Sequence, residues 1–70
     1  MTDNQPPVTE FPRTIGKVAA RELALAGYTR FEQLTHVSKK ALLAIHGVGP
    51  KAVRILEDEL ASRGLAFQDD

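Results

Sequence analysis

From Ile45 to Ala52 the chain reads Ile-His-Gly-Val-Gly-Pro-Lys-Ala, and no other stretch limits the fold so severely. Two glycines flank a single valine. Glycine takes φ > 0 at little steric cost, so Gly47 and Gly49 are expected to let the backbone reverse within about three residues. A valine inside such a turn has no reason to be apolar unless it plugs into a core beneath, so Val48 is expected to be buried. Pro50 suits the first residue of a helix, where its φ is already set and its missing N–H is not needed. The N–H groups of Gly49, Lys51 and Ala52 then lie at a helix N-terminus. Unbonded donors and the helix dipole favour an anion there, with the Lys51 side chain alongside.

Seventy residues make one small domain. A chain of this length buries only about 60–65% of its unfolded surface, so its core must pack well. It has no cysteine, which excludes a disulfide or a thiolate metal site, and His36 and His46 lack a helical ligand spacing. No metal and no cofactor is expected. The apolar runs fall far short of the 18 or so residues of a membrane span. The N-terminus lacks a basic-then-apolar signal pattern, so a cytoplasmic address is expected.

The formal net charge of zero conceals a strong asymmetry. Residues 13–54 carry eight basic side chains (Arg13, Lys17, Arg21, Arg30, Lys39, Lys40, Lys51, Arg54) against Glu22 and Glu32, a net +6. Residues 1–12 contribute −2 and residues 55–70 contribute −4. Distribution rather than total sets the field that a partner meets.

Residues 1–12 hold three of the four prolines and read as a disordered arm, with a return of Phe11 onto the domain left open. The folded domain is expected over 13–67, with a loose tail at 68–70. Ile15, Val18, Ala19, Leu23 and Ala26 recur at steps of three and four and predict a helix over 15–26, with Lys17 and Arg21 on its other face and Gly27 as its stop. A short helix is expected over 31–34. Ser38 opens another through Ile45, with Leu42, Leu43 and Ile45 facing in. Pro50 to about Ser62 is the last and longest, with Ala52, Val53, Leu56 and Leu60 inside and Gly64 at its end; Leu65 and Phe67 fold back as a lid. No stretch alternates like a strand, so the chain is all-α: a compact bundle of four to five short helices.

A weak repeat runs through it. Ile15-Gly16-Lys17-Val18-Ala19 aligns with Val48-Gly49-Pro50-Lys51-Ala52, thirty-three positions later, and Arg21 and Leu23 align with Arg54 and Leu56. The first copy has Thr14 where the second has Gly47, so only the second is complete.

The run from Ile45 to Ala52 resembles the helix-hairpin-helix family, whose pattern is an apolar residue, Gly, an apolar residue, Gly, two variable residues and Ala. That resemblance implies a SAM-like core with one complete and one degenerate hairpin, and a grip on the DNA backbone through the hairpin amides that leaves the bases largely unread. The run from Leu34 onward, especially Leu60-Ala61-Ser62-Arg63-Gly64-Leu65, is similar to the C-terminal domain of the bacterial RNA polymerase alpha subunit, which shares that fold. The arginine and asparagine that the polymerase domain uses on its first helix have only Lys17 and Arg21 as basic counterparts here.

The expected function is therefore DNA binding without sequence specificity. Gly47, Val48 and Gly49 form the turn, Lys51 and Arg54 neutralise phosphates beside it, and Lys39, Lys40, Lys17 and Arg21 add further contacts. The plain alternatives are a tight interhelical turn and solvated helix faces. His46 and His36 are expected as surface residues, and Tyr28 and Phe31 as core. Glu57-Asp58-Glu59 is an acidic patch, read as a solvated face. No Ser/His/Asp or Cys/His set occurs, so no enzyme is expected. A protein-interaction module tied to transcription or DNA processing is the competing function. A monomer is expected.

Overall fold

The computed structural model describes residues 9–68. A 3-10 turn, Arg13–Ile15, is followed by α1 (Lys17–Leu25), α2 (Phe31–Leu34), α3 (Lys39–Leu43) and α4 (Pro50–Ser62). No strand occurs among the described residues, and the all-α class holds.

Local chemistry sets the helix ends. The Ser38 hydroxyl accepts the Ala41 N–H at 3.1 Å and caps α3. Pro50 opens α4 behind Gly49, and Gly16 stands in the same place before α1. Both long helices close in the same way. The Tyr28 N–H reaches the Leu23 carbonyl at 2.8 Å and the Gly27 N–H that of Ala24 at 3.0 Å; Leu65 to Leu60 and Gly64 to Ala61 repeat those bonds at 2.8 and 3.0 Å. This is the pairing of a Schellman cap.

The core gathers on α4, whose Ala52, Val53, Leu56 and Leu60 are buried, and which packs on the 3-10 turn and on α3. Leu23, Leu34, Leu42, Leu56 and Leu60 are fully enclosed. Each leucine buried to this degree contributes about 1.5–3 kcal/mol. Phe31 is buried and Tyr28 half-buried against the core, in line with the expectation for both.

Several local expectations change. The helix predicted from Ile15 starts at Lys17, because residues 13–15 tighten into a 3-10 turn. The enclosed stripe runs from Ile15 of the 3-10 turn through Ala19 and Leu23 of α1, while Val18 is 52% exposed and Ala26 is exposed. α3 ends at Leu43 rather than Ile45, and so short a helix buries one residue well: Leu42 is enclosed and Leu43 stays 45% exposed.

The folded unit also begins earlier than Arg13. Phe11 is buried, with its ring edge-on to Phe31 at 5.1 Å, and the Glu10 N–H donates to the Thr29 carbonyl at 2.9 Å. Glu10 Oε1 accepts the Phe31 N–H at 2.9 Å, satisfying an amide at the start of α2 that the helix cannot. The Arg63 guanidinium lies 4.1 Å from the centre of the Phe31 ring. The expectations for residues 1–8 and 69–70 fall outside the described residues.

Candidate nucleic-acid interface

The turn between α3 and α4 is closed by the Val48 N–H donating to the Ile45 carbonyl at 3.1 Å. Gly47, third of those four residues, has φ +90°, the conformation that a type II turn requires at this place and that glycine meets without strain. Gly49 does not share it. Its φ is −103°, ordinary extended backbone, so the reversal rests on one glycine where two were expected. Gly47 is constrained in a second way, since a Cβ there would stand 2.8 Å from Val18 Cγ1 and 3.0 Å from Glu22 Cγ. The turn thus lies directly against α1. Val48 is 5% exposed and Ala52 5%, so these two seat the turn on the core and leave their side chains no part in a surface.

Among the described residues, the N–H groups of Gly47, Gly49, Lys51 and Ala52 have no acceptor; the first bond of α4 is Val53 N–H to the Gly49 carbonyl, at 3.1 Å. Gly49 is half-buried, Lys51 exposed and Ala52 buried, so the amides most open to a ligand belong to the first two.

The basic side chains divide into two groups. Arg30, Lys39 and Arg63 have carboxylate partners: Glu32 at 3.9 Å, Glu57 at 2.9 Å and Glu59 at 2.7 Å. Such exposed pairs add about 0–1 kcal/mol each. Arg13, Lys17, Arg21, Lys40, Lys51 and Arg54 are exposed and have no acidic partner among the described residues. Lys51 and Arg54 are three apart on the first turns of α4 and share a face. Lys17 and Arg21 are four apart on α1, on the stripe next to Val18 and Glu22, against which Gly47 rests. The contact between Gly47 and α1 therefore brings two separately encoded basic pairs to neighbouring elements.

Lys39 and Lys40, on α3, share a surface with Arg54 of this group. With Leu43, Pro50, Val53, Arg54, Glu57 and Asp58 they line an open groove between α3 and α4. Lys39 there is bonded through Nζ to Glu57 Oε2. Sequence reasoning had no means of finding that bond, which joins residues eighteen apart. It also placed Val18 in the core instead of beside the turn. The one signal for Val18 was its alignment with Lys51 in the repeat, a position that is exposed in the second copy.

His46 and His36 are exposed. No group of three His, Cys, Asp or Glu side chains that could hold a metal occurs among the described residues, and no described helix is long and apolar enough to cross a membrane. Comparison with known proteins finds no family model, no curated protein and no solved structure that matches the chain.

Proposed function

We propose that this domain binds the sugar-phosphate backbone of DNA, without strong sequence preference, as its resemblance to helix-hairpin-helix proteins suggests. The observation that carries this reading is the meeting of two features at one turn. Among the described residues, the Gly49 and Lys51 amides lack acceptors, and the side chains of Lys51 and Arg54, one helical turn on, lack carboxylate partners. A phosphate oxygen accepts from such amides, and the adjoining cations neutralise its neighbours along the strand. Lys17 and Arg21 extend the basic surface across the Gly47 contact. Because the ligand is held by its charge and backbone, bases are left unread.

About three to five phosphate contacts give a slope of about −3 to −4.5 for log K against log salt, and a single domain of this kind binds at about 10⁻⁴ to 10⁻⁶ M. The test is fluorescence anisotropy with several unrelated duplexes, in a salt series, on the wild type and on Lys51→Glu. The expected result is a loss of about tenfold or more on every duplex alike. Unchanged binding by a folded Lys51→Glu removes the turn from any role in DNA recognition.

A protein-docking role draws support from one observation: Leu25 is 75% exposed and stands two turns from exposed Val18 on the same face of α1. Backbone amide shifts separate the two functions. Duplex DNA should move residues 47–54; shifts confined to α1, and only with a protein ligand, favour docking.

A further inference from the structure

The groove between α3 and α4 holds three of the cations assigned to phosphate binding, Lys39, Lys40 and Arg54, yet it also holds Glu57 and Asp58. Two carboxylates among three cations leave this surface far less attractive to a polyanion than its lysine count suggests. The fold does not demand acids there. Counted from the starts of the two helices, Glu57 and Asp58 of α4 correspond to Ala24 and Leu25 of α1. Nor is the Glu57 carboxylate bound to a buried group here: its side chain is 49% exposed, and it accepts at 2.9 Å from Lys39 Nζ, whose side chain is equally exposed.

We propose that Glu57 restrains polyanion binding by holding Lys39, so that the phosphate path runs from the turn through Lys51 to Arg54 and does not extend across the α3–α4 groove to Lys39. This inference rests on the DNA-backbone function proposed above and adds a residue that limits it. Lys39 is then a held charge instead of a phosphate contact, and Glu57 sets how many phosphates the domain can neutralise. Asp58 acts through its charge.

The experiment is a salt series of duplex titrations on wild type, Glu57→Gln, Lys39→Met, the double variant and Asp58→Asn, each checked for helix content by circular dichroism. Glu57→Gln should raise affinity about three- to tenfold at low salt and steepen the slope of log K against log salt by about 0.9, the increment of one added phosphate contact. Lys39→Met alone should lower affinity a few-fold through the unneutralised Glu57 charge with no change of slope, and in the double variant the steeper slope should be gone. Asp58→Asn should raise affinity with no change of slope. The inference is overturned if Glu57→Gln leaves the slope unchanged, if the steepening survives in the double variant, or if Lys39→Met alone flattens the slope by about 0.9, which would make Lys39 a phosphate contact in the wild type. In each of those cases DNA binding itself stands. A folded wild type that binds no duplex overturns both.

Discussion

The two halves of this molecule enter their long helices by turns that share a bond but not a shape. In the first, the Ile15 N–H donates to the Pro12 carbonyl at 3.3 Å; in the second, Val48 donates to Ile45 at 3.1 Å. Ile15 and Val48 are both buried, as are Ala19 and Ala52 below them, so each half is pinned to the core at equivalent points. The third residue of the turn is where they part. Thr14 stays right-handed, the chain continues as a 3-10 turn, and the Gly16 N–H is taken by the Arg13 carbonyl at 3.0 Å. Gly47 goes to φ +90°, which breaks that path and leaves the Gly49 N–H without an acceptor among the described residues. One glycine in place of a threonine thus turns a closed helix entry into one with a spare donor. The completeness of the second copy has a physical meaning at the level of a single amide.

The halves differ again in length, α1 having nine residues and α4 thirteen. Four residues are about one turn, so the faces stay in register. Leu23 consequently matches Leu56 when counted from the N-terminal ends and Leu60 when counted from the shared caps, and all three are fully enclosed. α1 has one leucine for a task that α4 divides between two. Leu23→Ala should therefore cost about 2–5 kcal/mol, no less than Leu56→Ala or Leu60→Ala, in urea unfolding followed by circular dichroism. A cost below about 1 kcal/mol would break the equivalence and make the first half peripheral.

The next effect in size concerns the glycines. Gly16 (φ +97°) and Gly47 (φ +90°) both sit where an L side chain is strained, yet a Cβ at Gly16 meets nothing within 4 Å and one at Gly47 meets Val18 and Glu22. Gly16→Ala should cost about 1–3 kcal/mol from backbone strain alone, since φ +97° with ψ 153° is open essentially to glycine only. Gly47→Ala should cost about 1 kcal/mol more than that, because α1 must give way. Equal costs in thermal or urea unfolding would mean that the turn and α1 separate easily, and the link between the two basic pairs would weaken with them.

What the sequence disclosed follows from range. Ser38, Gly27 and Gly64 act through bonds to residues within five positions and Pro50 through its own preset φ, and the helix boundaries that depend on them were legible, as was the burial of Val48. Periodicity overreached where helices are short: Val18 and Leu43 fit an apolar stripe, but α1 and α3 have too little length to cover more than their best-placed residues. The proline-rich composition of residues 1–12 hid Glu10 and Phe11, whose partners Phe31 and Thr29 are about twenty residues away. The candidate site divides in the same manner. Its amides and the neighbouring Lys51 and Arg54 were legible, while the engagement of Lys39 by Glu57 depends on how α3 meets α4.

Charge reversal carries the comparison to binding. Lys17 is the first residue of α1 and Lys51 the second of α4, but the Gly16 amide beside Lys17 is already bonded to the Arg13 carbonyl, whereas that of Gly49 has no acceptor among the described residues. Lys51→Glu should accordingly weaken duplex binding more than Lys17→Glu does, by about tenfold against about threefold in one salt condition. Both should flatten the salt slope, since each removes about one neutralised phosphate. Equal losses would show that the surface acts through its summed field, with the free amide contributing nothing.

The smallest expected effect is on stability, at Gly49. Its φ of −103° is open to any residue and a Cβ there meets nothing within 4 Å, so Gly49→Ala introduces neither strain nor a clash. Two opposed terms remain. Alanine is a poorer N-cap than glycine, and it also loses less conformational entropy on folding, by about 0.4–1 kcal/mol. Their near cancellation predicts a stability change within about 0.5 kcal/mol, unlike the same substitution at Gly47. Duplex affinity should nevertheless fall several-fold, because a methyl group beside the unbonded Gly49 amide keeps a phosphate oxygen from hydrogen-bond distance. Stability and affinity thus separate at this residue, and equilibrium unfolding beside anisotropy on one preparation measures both. If affinity follows stability and neither changes, the glycine is there for the chain alone and the ligand does not approach the backbone at this turn.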